Sequence, residues 1–459
     1  MTNKTAPSPP VSFPAALRVW VRVAALSFGG PAGQIAVMHR ILVDEKGWIG
    51  ERRFLSALNY CMLLPGPEAH ELAIYIGWLM HRLKGGLAAG ILFVLPGLVS
   101  LSILSWVYAA FGAIGVVQGL FFGLKAAVLA VVFEALLRVA RRALKSPASR
   151  WIALLAFIGI FAFALPFPLI VLAAALTGFA GRRFKPDWFA ASGHGGAKAD
   201  APETGLVDRM LEQAPYLVPS TARLAQVLVI GGLIWLAPLL LLLAWLGPDN
   251  VFTAIAAFNS KMAVVTFGGA YAVLAYMAQQ AVEHYHWLKP GEMLVGLGLA
   301  EPTPGPLISV VDFVGYLAAY RAPGMLPPAL AGLLGGFLAM WATFVPPFIW
   351  IFAGGPYIEA LSGNKKLEAA LSAVTAAVVG VILNLAVWFA LHLLFTRVSP
   401  LGRFGITLAV PDPASLDLPA LVLSLLAGIA IFRFRVGMIP TLVAASLLGI
   451  AWYLAFGKT

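Results

Sequence analysis

Apolar stretches follow one another along almost the whole chain, and nothing constrains the fold more. A helix that crosses a bilayer needs about 20 mostly apolar residues. Thirteen candidate segments can be drawn, at 15–40, 53–80, 86–110, 114–137, 151–164, 166–181, 223–246, 250–283, 292–320, 324–353, 367–396, 416–433 and 436–456. Only 11% of the 459 residues are charged and 61% are hydrophobic, whereas a soluble domain carries about 25% charged residues. A soluble enzyme, a nucleic-acid-binding domain and a disordered scaffold are excluded. The reading is an all-α polytopic membrane protein with 12 or 13 transmembrane helices. The count is open because 151–164 and 166–181 are short and meet at Pro166-Phe167-Pro168, so they make either two crossings or a shallow hairpin.

The net charge of +11 is a topology signal before it is a hint of an acidic partner. With the N-terminus inside and thirteen alternating spans, the cytoplasmic segments hold 21 of the 31 Lys and Arg residues, including Arg138, Arg141, Arg142, Lys145 and Arg150. The expected organisation is a cytoplasmic tail (1–14), a first repeat (15–181), a polar cytoplasmic linker (182–222), a single span (223–246) and a second repeat (250–456), ending outside. No short apolar segment with a small-residue cleavage site marks a signal peptide. The one cysteine, Cys61, rules out an intrachain disulfide.

The chain is duplicated. An offset of 239 residues aligns Phe28-Gly29-Gly30 with Phe267-Gly268-Gly269, Trp48 with Trp287, and Pro65-Gly66-Pro67 with Pro304-Gly305-Pro306, without a gap. Over residues 27–67 twelve of 41 positions are identical. Each half holds about six spans, and the span at 223–246 delivers the second half to the opposite side. The repeats are therefore expected to be inverted, with substrate near the midplane at their interface.

Gly/Pro interruptions at matched positions point to the binding site of such a protein. A broken helix presents N–H donors and a positive dipole end, which suits an anion. The candidates are Gly29, Gly30, Gly268 and Gly269, the preceding hydroxyls of Ser27 and Thr266, and the breaks Pro65-Gly66-Pro67 and Pro304-Gly305-Pro306 as gating elements. The alternative is a purely structural kink. For Gly86-x-x-x-Gly90 and Gly332-x-x-x-Gly336, close packing is the reading.

Charges inside spans cost about 2.5–3.5 kcal/mol each and mark pathways by default. Arg22 and Lys261 occupy matched positions, each six residues before its Phe-Gly-Gly motif, and could neutralise a dianion, although both lie near a span end from which a side chain can snorkel. Lys125 lies mid-span, out of snorkelling range, and meets either an anion or a carboxylate. Glu68, Glu301 and Asp312 are candidate proton carriers, with static ion pairs as the alternative. His70 and Glu71 beside the first Pro-Gly-Pro break make a weaker relay pattern. No HExxH, P-loop or GxSxG motif occurs, so neither hydrolysis nor ATP-driven transport has support. No cofactor or metal site is expected.

Four stretches, SFGGPAGQIAVMHR (27–40), LNYCMLLPGPEAHELAIYIGW (58–78), SKMAVVTFGGAYAVLAYMAQQAVE (260–283) and GLAEPTPGPLISVVDFVGY (298–316), resemble the chromate ion transporter family in its long, two-domain form. The resemblance covers roughly 15–180 and 250–455. It implies bacterial inner-membrane proteins that export chromate and confer resistance to it, with sulfate as the isosteric natural oxyanion. The residues alone reach only an anion-handling, inverted-repeat secondary transporter, driven by proton or counter-anion exchange. A sulfate transporter or exchanger and an anion channel remain alternatives, and a membrane enzyme acting on lipid phosphates is disfavoured. Chromate or sulfate and membrane lipid are the expected partners, nucleic acid is not, and a homodimer is left open.

Overall fold

The structure, a computed structural model, describes residues 11–184, 188, 218–267, 270–357, 365–403 and 406–457. Gly268, Gly269 and most of the linker lie outside the described residues. Sixteen α-helices are present among the described residues. In the first half they are α1 (Phe13–Leu26), α2 (Gly30–His39), α3 (Glu51–Cys61), α4 (Glu68–Phe111), α5 (Gly115–Ala143), α6 (Pro147–Phe161) and α7 (Phe167–Phe184). A lone helix, α8 (Thr221–Leu246), precedes α9 (Val251–Val265), α10 (Ala270–Gln279), α11 (Glu292–Ala300), α12 (Val310–Arg321), α13 (Pro328–Gly354) and α14 (Lys365–Leu394). The chain ends with α15 (Leu418–Phe432) and α16 (Met438–Phe456). Among the described residues, seven helices are long and apolar enough to cross a membrane, those at 68–111, 115–143, 167–184, 221–246, 328–357, 366–394 and 438–456.

The succession of elements recurs 239 residues on. α1 and α9, α2 and α10, and α3 and α11 occupy matched positions. A turn of π-helix follows α2 at Arg40–Glu45 and α10 at Gln280–His284. Gly47 and His286, also 239 apart, take positive φ of 56° and 54°.

Four of the thirteen apolar segments do not run through as single broken spans. Each folds back at its Gly/Pro motif into a helical hairpin. Phe258 of α9 lies against Tyr276 of α10, with ring centroids 5.7 Å apart, and against Trp287 beyond the π-turn, at 5.9 Å. A straight helix rising about 1.5 Å per residue would hold these residues far apart. Arg321, the last residue of α12, donates to Glu292, the first of α11, at 2.7 and 2.8 Å, which closes the open end of that hairpin. Arg22 of α1 reaches Glu45 beyond α2 at 2.6 Å, and the rings of Tyr60 in α3 and Tyr75 in α4 are 6.2 Å apart.

α4 also reverses direction. His81 (φ −139°, ψ 29°) and Arg82 (φ 52°, ψ −143°) leave helical geometry, and Gly77 then packs on the Gly85 backbone eight residues later. Its first arm, 68–80, belongs to the second hairpin, and its second arm, 83–111, is the long helix. α12 and α13 repeat this: Gly315 faces Gly335, and Gly336 packs on the Asp312 side chain. Cβ atoms added at Gly86 and Gly332 would meet the Phe352 and Tyr316 rings, each at 2.6 Å, as the packing reading of the GxxxG pairs requires.

The halves exchange helices. α5 of the first half packs on α15 and α16 of the second, and α14 of the second packs on α6 and α7 of the first. α8 packs on α9 and α13 and has no buried residue. One element had no counterpart in the sequence reading: the antiparallel hairpin of β1 (Val398–Arg403) and β2 (Ile406–Pro411), joined by Arg397–Asp412 at 2.9 Å.

Candidate functional site

The tips of the four hairpins meet. Gly66 N–H, in the first Pro-Gly-Pro break, donates to Thr266 O at 2.9 Å, and Gly305 N–H, in the second, donates to Ser27 O at 2.9 Å. Both bonds join positions related by the same offset of 239, so the tips are cross-linked by a reciprocal pair. Ser27 Oγ donates to Val23 O at 2.7 Å and Thr266 Oγ1 to Met262 O at 2.6 Å, again at matched positions. These side-chain bonds cap the helices that end at each tip and leave the outer carbonyls for the other half. Ser27 and Thr266 are buried. Non-helical backbone is tolerated at membrane depth only where protein encloses it.

The Gly/Pro composition explains why the helices restart at the tips. Gly29 and Gly30 adopt φ of 80° and 71°, a conformation that side chains resist. α2, α4, α10 and the 3-10 turn leading into α12 all begin at a tip. For three of these the residue at the cap is Gly29, Pro67 or Pro306 and supplies no side-chain acceptor. Helix starts without such an acceptor present free N–H groups and the positive end of the dipole. The long helices contribute proline at the same level. Gly97, after Pro96, lies against Gly305, and Pro347, after Pro346, lies against Gly66.

The tips bring together most of the motif residues. Pro65-Gly66-Pro67, Pro304-Gly305-Pro306, Ser27 and Thr266 meet at the centre, and Gly29 and Gly30 adjoin it. Glu301 accepts from the Tyr271 hydroxyl at 2.6 Å, within electrostatic range of the Arg138–Glu134 pair of α5. Glu68 lies within electrostatic range of Arg142 of the same helix. Asp312 is fully buried and accepts from Ser102 Oγ at 3.1 Å.

The three cations stand elsewhere. Arg22 is exposed and held by Glu45, and that hydrogen bond keeps the Glu45 carboxyl below the usual carboxylate range. Lys261 is exposed. Lys125 is half-buried beside Gly291, within electrostatic range of Glu292 and Asp417. That position is the open end of the α11–α12 hairpin, and the nine residues of α11, about 13 Å of helix, separate it from the tip.

Sequence reasoning missed Gln34, whose Nε2 donates to Gly305 O, as well as Tyr271, Arg138 and Arg142. Gln34 carried a signal: it is an isolated amide four residues after Gly30 in an apolar segment. Arg138 and Arg142 carried only a general one, because they also fit the cytoplasmic charge count.

Buried hairpin tips, a lipid-type apolar exterior and two matched halves define a polytopic all-α membrane protein built around broken helices. The chain belongs to the chromate transporter family, whose model matches residues 15–179 and 253–450. It is 31% identical over 380 residues to a chromate transport protein of Pseudomonas aeruginosa, covering 82% of this chain and 80% of that one. It is 26% identical to a chromate transport protein of Cupriavidus metallidurans, over 95% of this chain and 92% of the relative. A probable chromate transport protein of Synechococcus elongatus is 24% identical, over 79% and 81%. No solved structure matches the chain.

Proposed function

We propose that this protein is a secondary transporter that exports chromate across the bacterial inner membrane, driven by proton or counter-anion exchange and conferring chromate resistance. The observation that carries the reading is the convergence of helix starts on four cross-linked tips, beside a family match whose relatives are named for chromate. Each helix end contributes about 0.3–2 kcal/mol toward an anion. Several converging ends can hold a dianion in the buried centre without a fixed lysine or arginine. The substrate is thus bound at the tips, with Ser27, Gly29, Gly30 and Thr266 around it, while Pro65-Gly66-Pro67 and Pro304-Gly305-Pro306 gate it. Glu68, Glu301 and Asp312 are candidates for coupling, and Arg22, Lys125 and Lys261 attract the oxyanion on approach.

The folded-back hairpins are compatible with an inverted topology. Each returns to its own side, so four helices cross in each half and α8 is the ninth. Both halves keep an even number of crossings, and α8 still turns the second one over. On this topology Arg40, Lys46, Arg52 and Arg53 join the cytoplasmic group and only Lys289 leaves it, which strengthens the positive-inside bias. The N-terminus is cytoplasmic and the C-terminus periplasmic.

The test is chromate accumulation by inside-out membrane vesicles containing the chain. Accumulation that sulfate inhibits and that Gly29→Val abolishes at equal protein level is the expected result. Absence of chromate flux under every imposed ion gradient would overturn the reading, and unitary currents would replace it with a channel.

A further inference from the structure

Glu71 is the most isolated carboxylate in the described protein. It is 0% exposed, and neither carboxylate oxygen has a hydrogen-bond partner among the described residues. Glu301 and Asp312, by contrast, each accept a hydroxyl hydrogen bond. Glu71 lies in the first turn of α4, at the positive end of a helix that starts on a tip. Its Oε1 occupies the space a side chain at Gly66 would need, so it packs on the residue whose N–H holds Thr266 O. The titratable groups facing it are Tyr60 and Cys61 from α3 and Glu68 from its own helix. α13 presents Pro347 to the same tip. None of these groups is a cation.

We infer that Glu71 is a proton-binding site linked to the oxyanion site at the tips, the proton and the oxyanion binding together. This rests on the proposed oxyanion site. Buried among acidic and apolar neighbours, the carboxyl is stable against Gly66 only in its neutral form, since an ionised carboxylate there lacks both donors and a counter-charge. Loss of the proton to water breaks the Glu71 O–H bond and leaves a carboxylate in the first turn of α4. That carboxylate seeks the free N–H groups at the start of α4, the same donors an oxyanion needs. Ionised Glu71 and a bound dianion therefore exclude each other by competition and by like charge. By reciprocity, a proton on Glu71 favours the oxyanion as much as the oxyanion favours the proton. A proton that binds with the oxyanion travels in the same direction. Through Glu71, inward protons do not drive outward export, and another coupled site or a counter-anion supplies that force. The matched position in the second half is Val310, so the linkage belongs to one half only.

The experiment measures radiolabelled sulfate and chromate binding to the purified full chain in nanodiscs as a function of pH. In the wild type the affinity weakens as pH rises, by up to about tenfold per pH unit, the limit for one linked proton. Glu71→Gln binds at all pH values as the wild type does at low pH, with the slope gone, and Glu71→Asp restores a slope. A wild type without pH dependence, or Glu71→Gln with the wild-type slope, overturns the inference. If the wild type binds neither anion, the proposed function fails. The proton site is then read by infrared spectroscopy, which shows a protonated-carboxyl C=O band at neutral pH that Glu71→Gln removes. The same band in both proteins, or in neither, overturns the site.

Discussion

The two Pro-Gly-Pro tips share one backbone and differ in what closes them. At the first, a side chain does so: the Glu71 carboxyl and Pro347 fill the space beside Gly66. At the second, main chain does so: Gly305 takes φ of 119°, and a Cβ added there would sit 3.2 Å from Gly97 N. Gln34 adds a side-chain link to Gly305 O, while its matched position in the second half is Val273. The crossed backbone bonds thus recur at matched positions, while the side chains around them differ. A backbone seal cannot respond to protonation. A carboxyl seal can.

The contrast breaks most visibly at the glycines. Gly305→Ala is expected to be the most damaging single change, because the backbone conformation costs about 1–3 kcal/mol for a non-glycine residue and no side chain can move to admit the methyl. Thermal unfolding in detergent together with vesicle flux checks it, and a melting point equal to wild type would refute the backbone-seal account. Gly66→Ala has ordinary φ and meets mainly the Glu71 side chain. It should destabilise by about 1–3 kcal/mol through overpacking, and Glu71→Ala in the same chain should relieve much of that. Simple additivity of the two losses would show that the carboxyl is not the seal.

Smaller effects sharpen the same comparison. Gln34→Leu leaves Gly305 O without its side-chain donor and should cost about 1–3 kcal/mol, whereas Val273→Leu at the matched place should change stability little. The open ends of the hairpins differ as well. Arg321→Ala strips a bidentate partner from the buried Glu292 and should lower the melting point clearly. Arg22→Ala removes an exposed, solvent-screened pair and should change the melting point little. Equal effects would mean that burial of Glu292 does not matter. The smallest signal is the pH response of the Arg22–Glu45 pair. Glu45 is held below its ordinary range, so its contribution is fully present at neutral pH and is lost as pH falls through the usual carboxylate value, about 4.3, and then the lowered one. Glu45→Gln should flatten that small part of the acid side of the stability curve.

The motifs that make the tips were legible because glycine and proline act locally: they stop a helix wherever they stand. The matched order of elements was legible because those stops kept one register. The fold-back was not, since an apolar segment of 26 to 34 residues suits a kinked span and a hairpin equally well. Contacts distant in sequence decide it, such as Arg321 with Glu292 and Phe258 with Trp287. The same limit applies to charge. Arg22 and Lys261 matched in register, but the sequence could not show that Glu45 would claim Arg22. Arg138 and Arg142 read as cytoplasmic anchors, and the sequence could not show that α5 also brings them within range of Glu301 and Glu68. The β1–β2 hairpin escaped notice because its strands are short and lie in the loop between α14 and α15.

The exchange of α5 and α14 bears on assembly. With α5 removed, α15 and α16 lose the helix they pack on, and with α14 removed, α6 and α7 lose theirs. Neither half is a closed folding unit, and during synthesis the first half must wait, its α6 and α7 faces uncovered, until α14 emerges. Each half on its own would need a partner to cover those helix faces. The covalent link through α8 makes the meeting of the two halves an intramolecular event.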